Sequence, residues 1–224
     1  MQNKNNILQI QFDSPEYRAD LNHLPFWQHF IDSVSEQDLR NSTVLDFGCG
    51  RGMFLQTLFY RRPFKKGIGI DISTPAIDIA RKHLGFVPVE FREQGATNGI
   101  SDIDIAFSHE VLYQLPDLDA HAKDIAQCLR PKGVYYIALA CLGDNPLWDL
   151  WKANIIKSGI NNVYTHTADG IIEAFTKNGF EVYARKFMMD DFVRMIPGNP
   201  NYNSLNERMD NALLNKFIFR AVKV

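Results

Sequence analysis

Residues 43–52 read Thr-Val-Leu-Asp-Phe-Gly-Cys-Gly-Arg-Gly. A short β-rich run ends here in three glycines at alternate positions, and an apolar helical pattern follows at 53–60. Glycines permit positive φ and let a ligand approach the main chain closely. The start of the following helix offers free N–H groups and the positive end of its dipole to polar or anionic groups. The stretch therefore predicts a ligand-binding turn at the carboxyl end of a strand.

The rest of the chain alternates short apolar runs with helical patterns. The expected strands lie at 43–47, 68–70, 87–91, 103–107, 134–140, 180–184 and 216–222. The expected helices lie at 15–36, 53–60, after a cap at Ser73 or Thr74, and at 118–129, 144–158 and 167–178. This order indicates βαβ units and a mostly parallel sheet covered on both faces. In the last run, Phe217, Phe219 and Ala221 alternate with Ile218, Arg220 and Val222, which predicts an antiparallel strand slotted into the sheet.

Composition and charge narrow the function classes. The 224 residues are 46% hydrophobic and 22% charged, which is typical of a globular domain with a core of its own. The net charge of −2 argues against sequence-independent nucleic-acid binding. Three cysteines without metal-ligand spacing suggest reduced thiols and no metal site. The longest apolar run, 134–142, is far shorter than the roughly 20 residues of a membrane span, so we expect a cytoplasmic protein.

Two ligand classes compete for the glycine turn. A dinucleotide site has the spacing G-x-G-x-x-G, which would put the third glycine at Met53. The third glycine is Gly52 instead, and an acidic residue, Asp46, precedes the first glycine. A nicotinamide dehydrogenase is therefore the weakest of the functions considered.

The segment from Asp46 to Gly52 resembles the first motif of the class I S-adenosylmethionine-dependent methyltransferases, an acidic residue followed by x-G-x-G-x-G. Residues 68–73 are similar to the end of strand two in that family. Residues 104–116 are similar to its strand four and the segment after it, and 129–133 to the turn before its strand five. The resemblance covers roughly residues 40–141.

The resemblance implies S-adenosylmethionine as cofactor and Asp71 as the residue that takes both ribose hydroxyls, since a carboxylate can accept two hydrogens together. It places Gly95 where many members carry an acid that reads adenine. Gln94, Glu93 or the backbone at 95–96 could take that role instead. The candidate cofactor contacts are Tyr17, Asp46, Gly48, Cys49, Gly50, Gly52, Asp71, Ile72, Gln94, Gly95, Ala96 and Ser108.

Three residues after strand four are candidates for the catalytic step: His109, Glu110 and Tyr113. Each could orient an acceptor, and His109 or Glu110 could take its proton. Alternatively, Glu110 opens the next helix, His109 caps it, and Tyr113 packs beneath it. The sulfonium already activates the methyl group, so proximity and orientation can supply most of the rate without a base.

The resemblance also implies a Rossmann-like, doubly wound α/β fold with a mostly parallel seven-stranded sheet and one antiparallel strand. We expect a single domain over residues 1–224. It would comprise a helical cap at 1–40, a cofactor half at 41–141, and a substrate-side half at 142–224. Two long connections, 142–166 and 187–213, are expected to act as cap insertions, because connections of this length are usually functional.

The expected function is methyl transfer to a small-molecule acceptor, with no nucleic-acid or membrane partner. The Asn/Asp-Pro-Pro-Tyr tetrapeptide of nucleic-acid amino methyltransferases is absent after strand four, where residues 108–111 read Ser-His-Glu-Val. A protein methyltransferase and a non-catalytic S-adenosylmethionine-binding regulator remain alternatives. The sequence leaves the oligomeric state and the acceptor atom open.

Overall fold

The computed structural model of the protein describes residues 20–190, 192 and 195–224. The strands are β1 Thr43–Phe47, β2 Lys66–Asp71, β3 Val89–Glu93, β4 Ile103–His109, β5 Leu129–Leu139, β6 Phe180–Lys186 and β7 Phe217–Lys223. The α-helices are α1 Leu24–Asp32, α2 Met53–Arg61, α3 Thr74–Lys82, α4 Leu118–Cys128, α5 Trp148–Lys157, α6 Ala168–Lys177 and α7 Leu205–Asp210.

The strands form a seven-stranded sheet in the order β3-β2-β1-β4-β5-β7-β6. The pairs β1–β2, β2–β3 and β4–β5 are parallel, whereas β7 runs antiparallel to β5 and to β6. The predicted α/β class and the antiparallel last strand are therefore confirmed. The chain divides into two compact units, Met1–Gly95 and Ala96–Val224.

The first unit brings three strand ends to one edge. Phe47 lies beside Ile70, and Ile70 lies beside Arg92, so β1, β2 and β3 end nearly level. Parallel strands that end together place their following loops side by side, and ligands bind at that edge in open α/β sheets. The turn after β1 is thereby set next to the loops after β2 and β3.

The second unit aligns the ends of β4 and β5 with the start of β7. His109 pairs with Ala138, and Ala138 pairs with Ile218. Because β7 is antiparallel, the residue that precedes it, Lys216, lies at the same edge as the carboxyl ends of β4 and β5. The buried rings of Tyr135 and Phe175, 5.6 Å apart, belong to the core of this unit.

Strand β5 begins earlier than the expected residue 134. Ile103 pairs with Leu129 and Ile105 with Val134, so the residues between them on β5 form a bulge. Lys132 has φ +65° there, and a Cβ on Gly133 would lie 2.9 Å from the carbonyl oxygen of Arg130. The predicted turn before strand five is a bulge within the strand.

The N-terminal helix is shorter than the expected 15–36. A 3-10 turn, Asp20–His23, leads into α1, which ends at Asp32. Trp27 packs beside Met53 of α2 and stacks on His23 with ring centroids 5.8 Å apart. Residues 15–19 of that predicted helix lie outside the described residues.

Candidate functional site

The glycine turn is tied to the end of β2 by its backbone. The N–H groups of Gly48 and Cys49 both donate to the carbonyl oxygen of Ile70, at 2.8 and 2.9 Å. Gly48, Gly50 and Gly52 have φ values of +76°, +51° and +78°. This left-handed backbone is the reason that the chain needs glycine at these positions.

Gly50 and Gly52 serve different purposes. A Cβ on Gly50 would meet no heavy atom within 4 Å, so the backbone there faces open space. A Cβ on Gly52 would clash with the ring of Phe91. Gly52 is thus required for packing against β3 and for the start of α2, and Gly50 is the glycine that leaves room for a ligand.

Asp71 is fixed by two backbone donors. Its Oδ2 atom accepts from the N–H of Gly50 at 2.8 Å, and its Oδ1 atom accepts from the N–H of Ser73 at 2.9 Å. Ser73 in turn caps α3 by accepting from the N–H of Ala76. An ionised carboxylate has further lone pairs on both oxygens. The geometry leaves Asp71 able to accept two hydroxyl hydrogens, as a ribose would offer.

Asp46 is a buried carboxyl group with an unsatisfied oxygen. Its side chain is 3% exposed, and its Oδ2 atom has no hydrogen-bond partner. Burial, followed by the nearby charge of Asp71, raises the pKa of Asp46 well above its ordinary value. A buried polar atom without a partner is costly, so it indicates a missing donor. A cationic amino group would supply that donor and would favour the ionised carboxylate.

The loops after β2 and β3 provide an apolar surface beside exposed backbone. The N–H of Gln94 donates to the carbonyl oxygen of Asp71 at 2.9 Å. Ile72 is 68% exposed, and a Cβ on Gly95 would lie 2.8 Å from its Cγ2 atom. A flat aromatic group such as adenine could lie against Ile72 while the backbone reads its edge. The residues of this first unit thus fit the parts of S-adenosylmethionine.

Cys49 is buried in the turn. Burial, and then the charges of Asp46 and Asp71, raise the pKa of its thiol far above the ordinary value, so it stays protonated. A protonated, enclosed thiol is not a nucleophile. Cys49 is thus a small residue that fits the turn and takes no part as a nucleophile.

Among the expected cofactor contacts, Tyr17 lies outside the described residues. Near it in sequence, Asp20 accepts from Arg51 of the glycine turn, with Nη1 and Oδ1 2.8 Å apart. Ala96 begins the second unit and is half-buried.

The side chain of Ser108 is fully buried in the second unit. Its Oγ atom accepts from the hydroxyl of Tyr135 at 2.8 Å, and that hydroxyl lies 3.0 Å from the Nε2 atom of His121. A side chain engaged in this buried network does not reach a ligand, so only the backbone of Ser108 remains available for the expected contact.

His121 should make folding stability depend on pH. Burial lowers the pKa of His121 from 6.5 to about 3, whereas the unfolded chain binds a proton below pH 6.5. Between pH 6.5 and 3 the unfolded state therefore binds a proton at His121 and the folded state does not, so acidification favours unfolding. We expect a loss of about 2 kcal/mol between pH 7 and 5 from this group.

Urea unfolding at several pH values measures this loss. His121→Gln should flatten the pH dependence, whereas His83→Gln, outside the buried network, should leave it unchanged. An unaltered slope in His121→Gln would show that another group titrates.

Glu110 is held at the end of β4 in a strained turn. Its φ is +56°, and its carboxylate accepts from the N–H groups of Ala140 and Cys141 and from Lys216 Nζ at 2.8 Å. Burial acts to raise the pKa of Glu110, but Lys216 and the backbone donors outweigh it, and the pKa is lowered. The group is an ionised carboxylate already occupied by donors, which is unsuited to a general base.

The alternative that His109 caps the next helix is wrong. The 3-10 turn that follows, Leu112–Gln114, has Val111 at its N-cap and no side-chain cap. The Nε2 atom of His109 lies 2.7 Å from Lys216 Nζ instead. Glu110 likewise bonds to the end of β5 and not to the following turn.

Lys216 belongs to this site, although the sequence did not indicate it as a site residue. It is 3% exposed, bonds to both His109 and Glu110, and lies under the ring of Phe187, with Nζ 4.7 Å from the ring centroid. A buried lysine is rare unless it is paired. Its position directly before an apolar strand is the one signal that could have suggested it.

Three neutral side chains lie near the cluster formed by His109, Glu110 and Lys216. Burial raises the pKa of Tyr113, Cys141 and Tyr202, and the charge of Glu110 adds to the effect at each of them. The ring of Tyr113 packs edge-on against Trp148 at 6.1 Å. All three therefore keep their protons near neutral pH, and Tyr113 has no ionised form to act as a base.

A cavity of about 180 Å³ lies in the connection that precedes and includes α7. It is lined by Met195, Ile196, Gly198, Asn199, Tyr202, Asn203, Ser204 and Arg208. Arg208 donates to the hydroxyl of Tyr202 at 2.6 Å. The lining combines apolar side chains with one cation, and Tyr202 belongs both to the cavity and to the group around Glu110.

No helix of residues 20–190, 192 and 195–224 is long and apolar enough to cross a membrane. Within the same ranges there is no group of three or more His, Cys, Asp or Glu side chains that could hold a metal ion.

The chain matches known proteins in sequence. A family model described as a methyltransferase domain matches residues 17–185, more than half of the chain. The ubiquinone biosynthesis O-methyltransferase of Bartonella tribocorum is 27% identical over 130 residues, 56% of this chain and 50% of that protein. The trans-aconitate 2-methyltransferase of Azoarcus sp. is 30% identical over 105 residues, 47% of this chain and 42% of that protein. The chain spans about half the length of these curated relatives.

Solved structures share the fold. A chain from the complex of the Haloferax volcanii Trm112 methyltransferase activator with a methyltransferase superposes with a TM-score of 0.79 at 19% identity, over 96% of both chains. The geranyl diphosphate C-methyltransferase of Streptomyces coelicolor gives 0.69 at 14% identity, over 96% of this chain and 86% of that one. With the family match over residues 17–185, the chain belongs to the class I S-adenosylmethionine-dependent methyltransferases.

Proposed function

We propose that the protein transfers the methyl group of S-adenosylmethionine to a small-molecule acceptor. The observation that carries this proposal is the pair of carboxylates around the glycine turn. Asp71 is oriented by the N–H groups of Gly50 and Ser73, and Asp46 keeps a buried oxygen without a partner. The first is suited to a diol and the second to an ammonium group, and S-adenosylmethionine carries both.

The proposed cofactor contacts follow from this geometry. Asp71 would accept from the ribose hydroxyls, and Asp46 would accept from the amino group. Ile72 and the backbone of Gly95 would hold adenine, and the open backbone at Gly50 would lie along the cofactor. Once bound, the sulfonium supplies an activated methyl group, and this chain's residues need only bind, orient and exclude water.

A small acceptor is supported by two observations. The relatives named above are methyltransferases of ubiquinone biosynthesis and of trans-aconitate, which are small molecules. The cavity of about 180 Å³ beside Tyr202 and Arg208 is of a size for part of a small ligand. His109, next to the Glu110–Lys216 pair, is the residue proposed to face the acceptor.

Calorimetric titration with S-adenosylmethionine, S-adenosylhomocysteine and NAD tests the cofactor assignment. We expect micromolar binding of S-adenosylmethionine and S-adenosylhomocysteine and no binding of NAD. Incubation with methyl-labelled S-adenosylmethionine and metabolite fractions then tests the acceptor. Label in a small molecule supports the proposal, label in protein favours a protein methyltransferase, and binding without transfer to any fraction favours a regulatory binder.

Replacing Asp71 should weaken cofactor binding selectively. Asp71→Ala removes a charged acceptor of two hydrogen bonds, so we expect a loss of about 1.5–3 kcal/mol in binding free energy. Calorimetry with S-adenosylhomocysteine measures the loss. Asp78→Ala on the exposed face of α3 serves as the control and should bind like the wild type. An unchanged affinity in Asp71→Ala would place the ribose elsewhere.

A further inference from the structure

The contact between Lys216 and His109 fits two proton arrangements. With Nζ and Nε2 2.7 Å apart, an ammonium can donate to an unprotonated Nε2, or a protonated imidazole can donate to a neutral amine. The two arrangements give His109 opposite properties. In the first it is neutral with its proton on Nδ1, and in the second it is a cation.

The surroundings of Nζ favour the first arrangement. Glu110 Oε1 lies 2.8 Å from Nζ, and the face of Phe187 lies 4.7 Å away, so both stabilise a positive charge on the lysine. Lysine is also intrinsically the more basic group, by about four pKa units. The proton therefore stays on Lys216, and a second cation at His109 would be repelled at close range.

We propose that Lys216 is a positioning residue that holds His109 as the neutral Nδ1–H tautomer, so that His109 meets the acceptor as a hydrogen-bond donor and not as a general base. The contact between His109 and an acceptor rests on the proposed function, whereas the tautomer of His109 is independent of it. His109 ends β4 at the edge where ligands bind in open α/β sheets. The positive φ of Glu110 is the kind of backbone strain that clusters at such sites.

The groups around the pair come from several elements. Glu110, directly after β4, carries a negative charge. Tyr113 follows Glu110, Cys141 follows β5, and Tyr202 precedes α7. Burial raises the pKa of each of these last three, so they are neutral. Arg208 adds a positive charge next to Tyr202, to whose hydroxyl it donates. This balance opposes protonation of His109 more than it favours it.

An acceptor that arrives with a free lone pair, such as a carboxylate or a thiolate, suits a donor at His109. An alcohol would have to lose its proton to another group. The proposal thus narrows the acceptor to groups that need no base from His109.

Nuclear magnetic resonance of the ring nitrogens tests the tautomer on the whole protein without any acceptor. The ¹⁵N chemical shifts distinguish protonated from unprotonated nitrogen atoms, and His109→Asn identifies the signals among the six histidines. We expect Nδ1 protonated and Nε2 unprotonated in the wild type, unchanged from pH 8 to well below about 6.5, the ordinary histidine value.

Three variants test the role of Lys216. Lys216→Met should remove the donor to Nε2, and His109 should then take up a proton at a higher pH than in the wild type. Lys216→Arg keeps a donor-only cation and should preserve the wild-type pattern. Lys186→Met is the matched control, because Lys186 also lies over a ring, that of Phe217, but outside the cluster. It should leave the His109 signals unchanged.

A wild-type spectrum with a proton on Nε2 or on both nitrogens near neutral pH would overturn the proposal, even if Lys216→Met fails to fold. So would Lys216→Met signals identical to those of the wild type. Both results are independent of cofactor binding and methyl transfer, so failure of the tautomer and failure of the proposed function are separate outcomes. If an acceptor is found, Lys216→Arg should retain more of the wild-type kcat than Lys216→Met does.

Discussion

Gly50→Val should abolish binding of S-adenosylmethionine while the protein remains folded. A Cβ at Gly50 would meet no protein atom within 4 Å, so the added side chain would fill space that the cofactor is proposed to use. We expect the affinity to fall at least a thousandfold, about 4 kcal/mol or more. Calorimetry with S-adenosylhomocysteine, alongside circular dichroism, checks both parts of this expectation.

The control must separate blocked space from backbone strain. Gly50 has φ +51°, and a branched side chain is strained at any positive φ. Gly159, after α5, has φ +97° and likewise no heavy atom within 4 Å of its Cβ position. Gly159→Val should lose similar stability and keep cofactor affinity. Equal loss of affinity in both variants would mean that strain, and not occupied space, explains Gly50→Val.

Glu110→Gln should strongly destabilise the second unit. The change leaves the ammonium of Lys216, 3% exposed, without its carboxylate, and weakens the bonds to the N–H groups at the end of β5. Breaking a buried ion pair by removing one partner typically costs about 3–5 kcal/mol. Urea unfolding measures the free energy of unfolding of the variant against the wild type.

Two comparisons make that expectation specific. The double variant Glu110→Gln/Lys216→Met removes both charges and should be more stable than Glu110→Gln alone, a coupling that a double-mutant cycle reports. Asp119→Asn breaks the exposed pair with Lys177 and should have a much smaller effect. Similar losses for Glu110→Gln and Asp119→Asn would show that the buried pair does not hold this end of the sheet.

The glycine turn was predictable because its information is local. Asp46, the alternating glycines and Asp71 define a turn and a neighbouring strand end within 26 residues, and parallel pairing then brings them together. The strands and most helices follow from short periodic patterns in the same way. The bulge in β5 was missed, since its pairing with Ile103 depends on a distant strand and not on its own residues.

The residues around His109 were less predictable, because their contacts too depend on residues far away in the sequence. Lys216 contacts His109 and Glu110, which are more than 100 residues away in the sequence. No pattern in residues 216–222 predicts these contacts. Ser108 and His109 are adjacent in sequence, but alternation along β4 sends Ser108 into the buried network with Tyr135. Which of two neighbours faces a ligand depends on the face of the strand, which the sequence motif does not specify.

The placement of β7 between β5 and β6 bears on the order in which the newly made chain can assemble. Strand β6 is synthesised before β7 but joins the sheet through it, so it stays without a strand partner until β7 leaves the ribosome. The residues of the first unit end at Gly95, so they are all synthesised before the rest of the chain. At ordinary synthesis rates, they are made on the order of 10 s before Lys216. The cluster that contains His109 is thus among the last parts of the chain that can assemble.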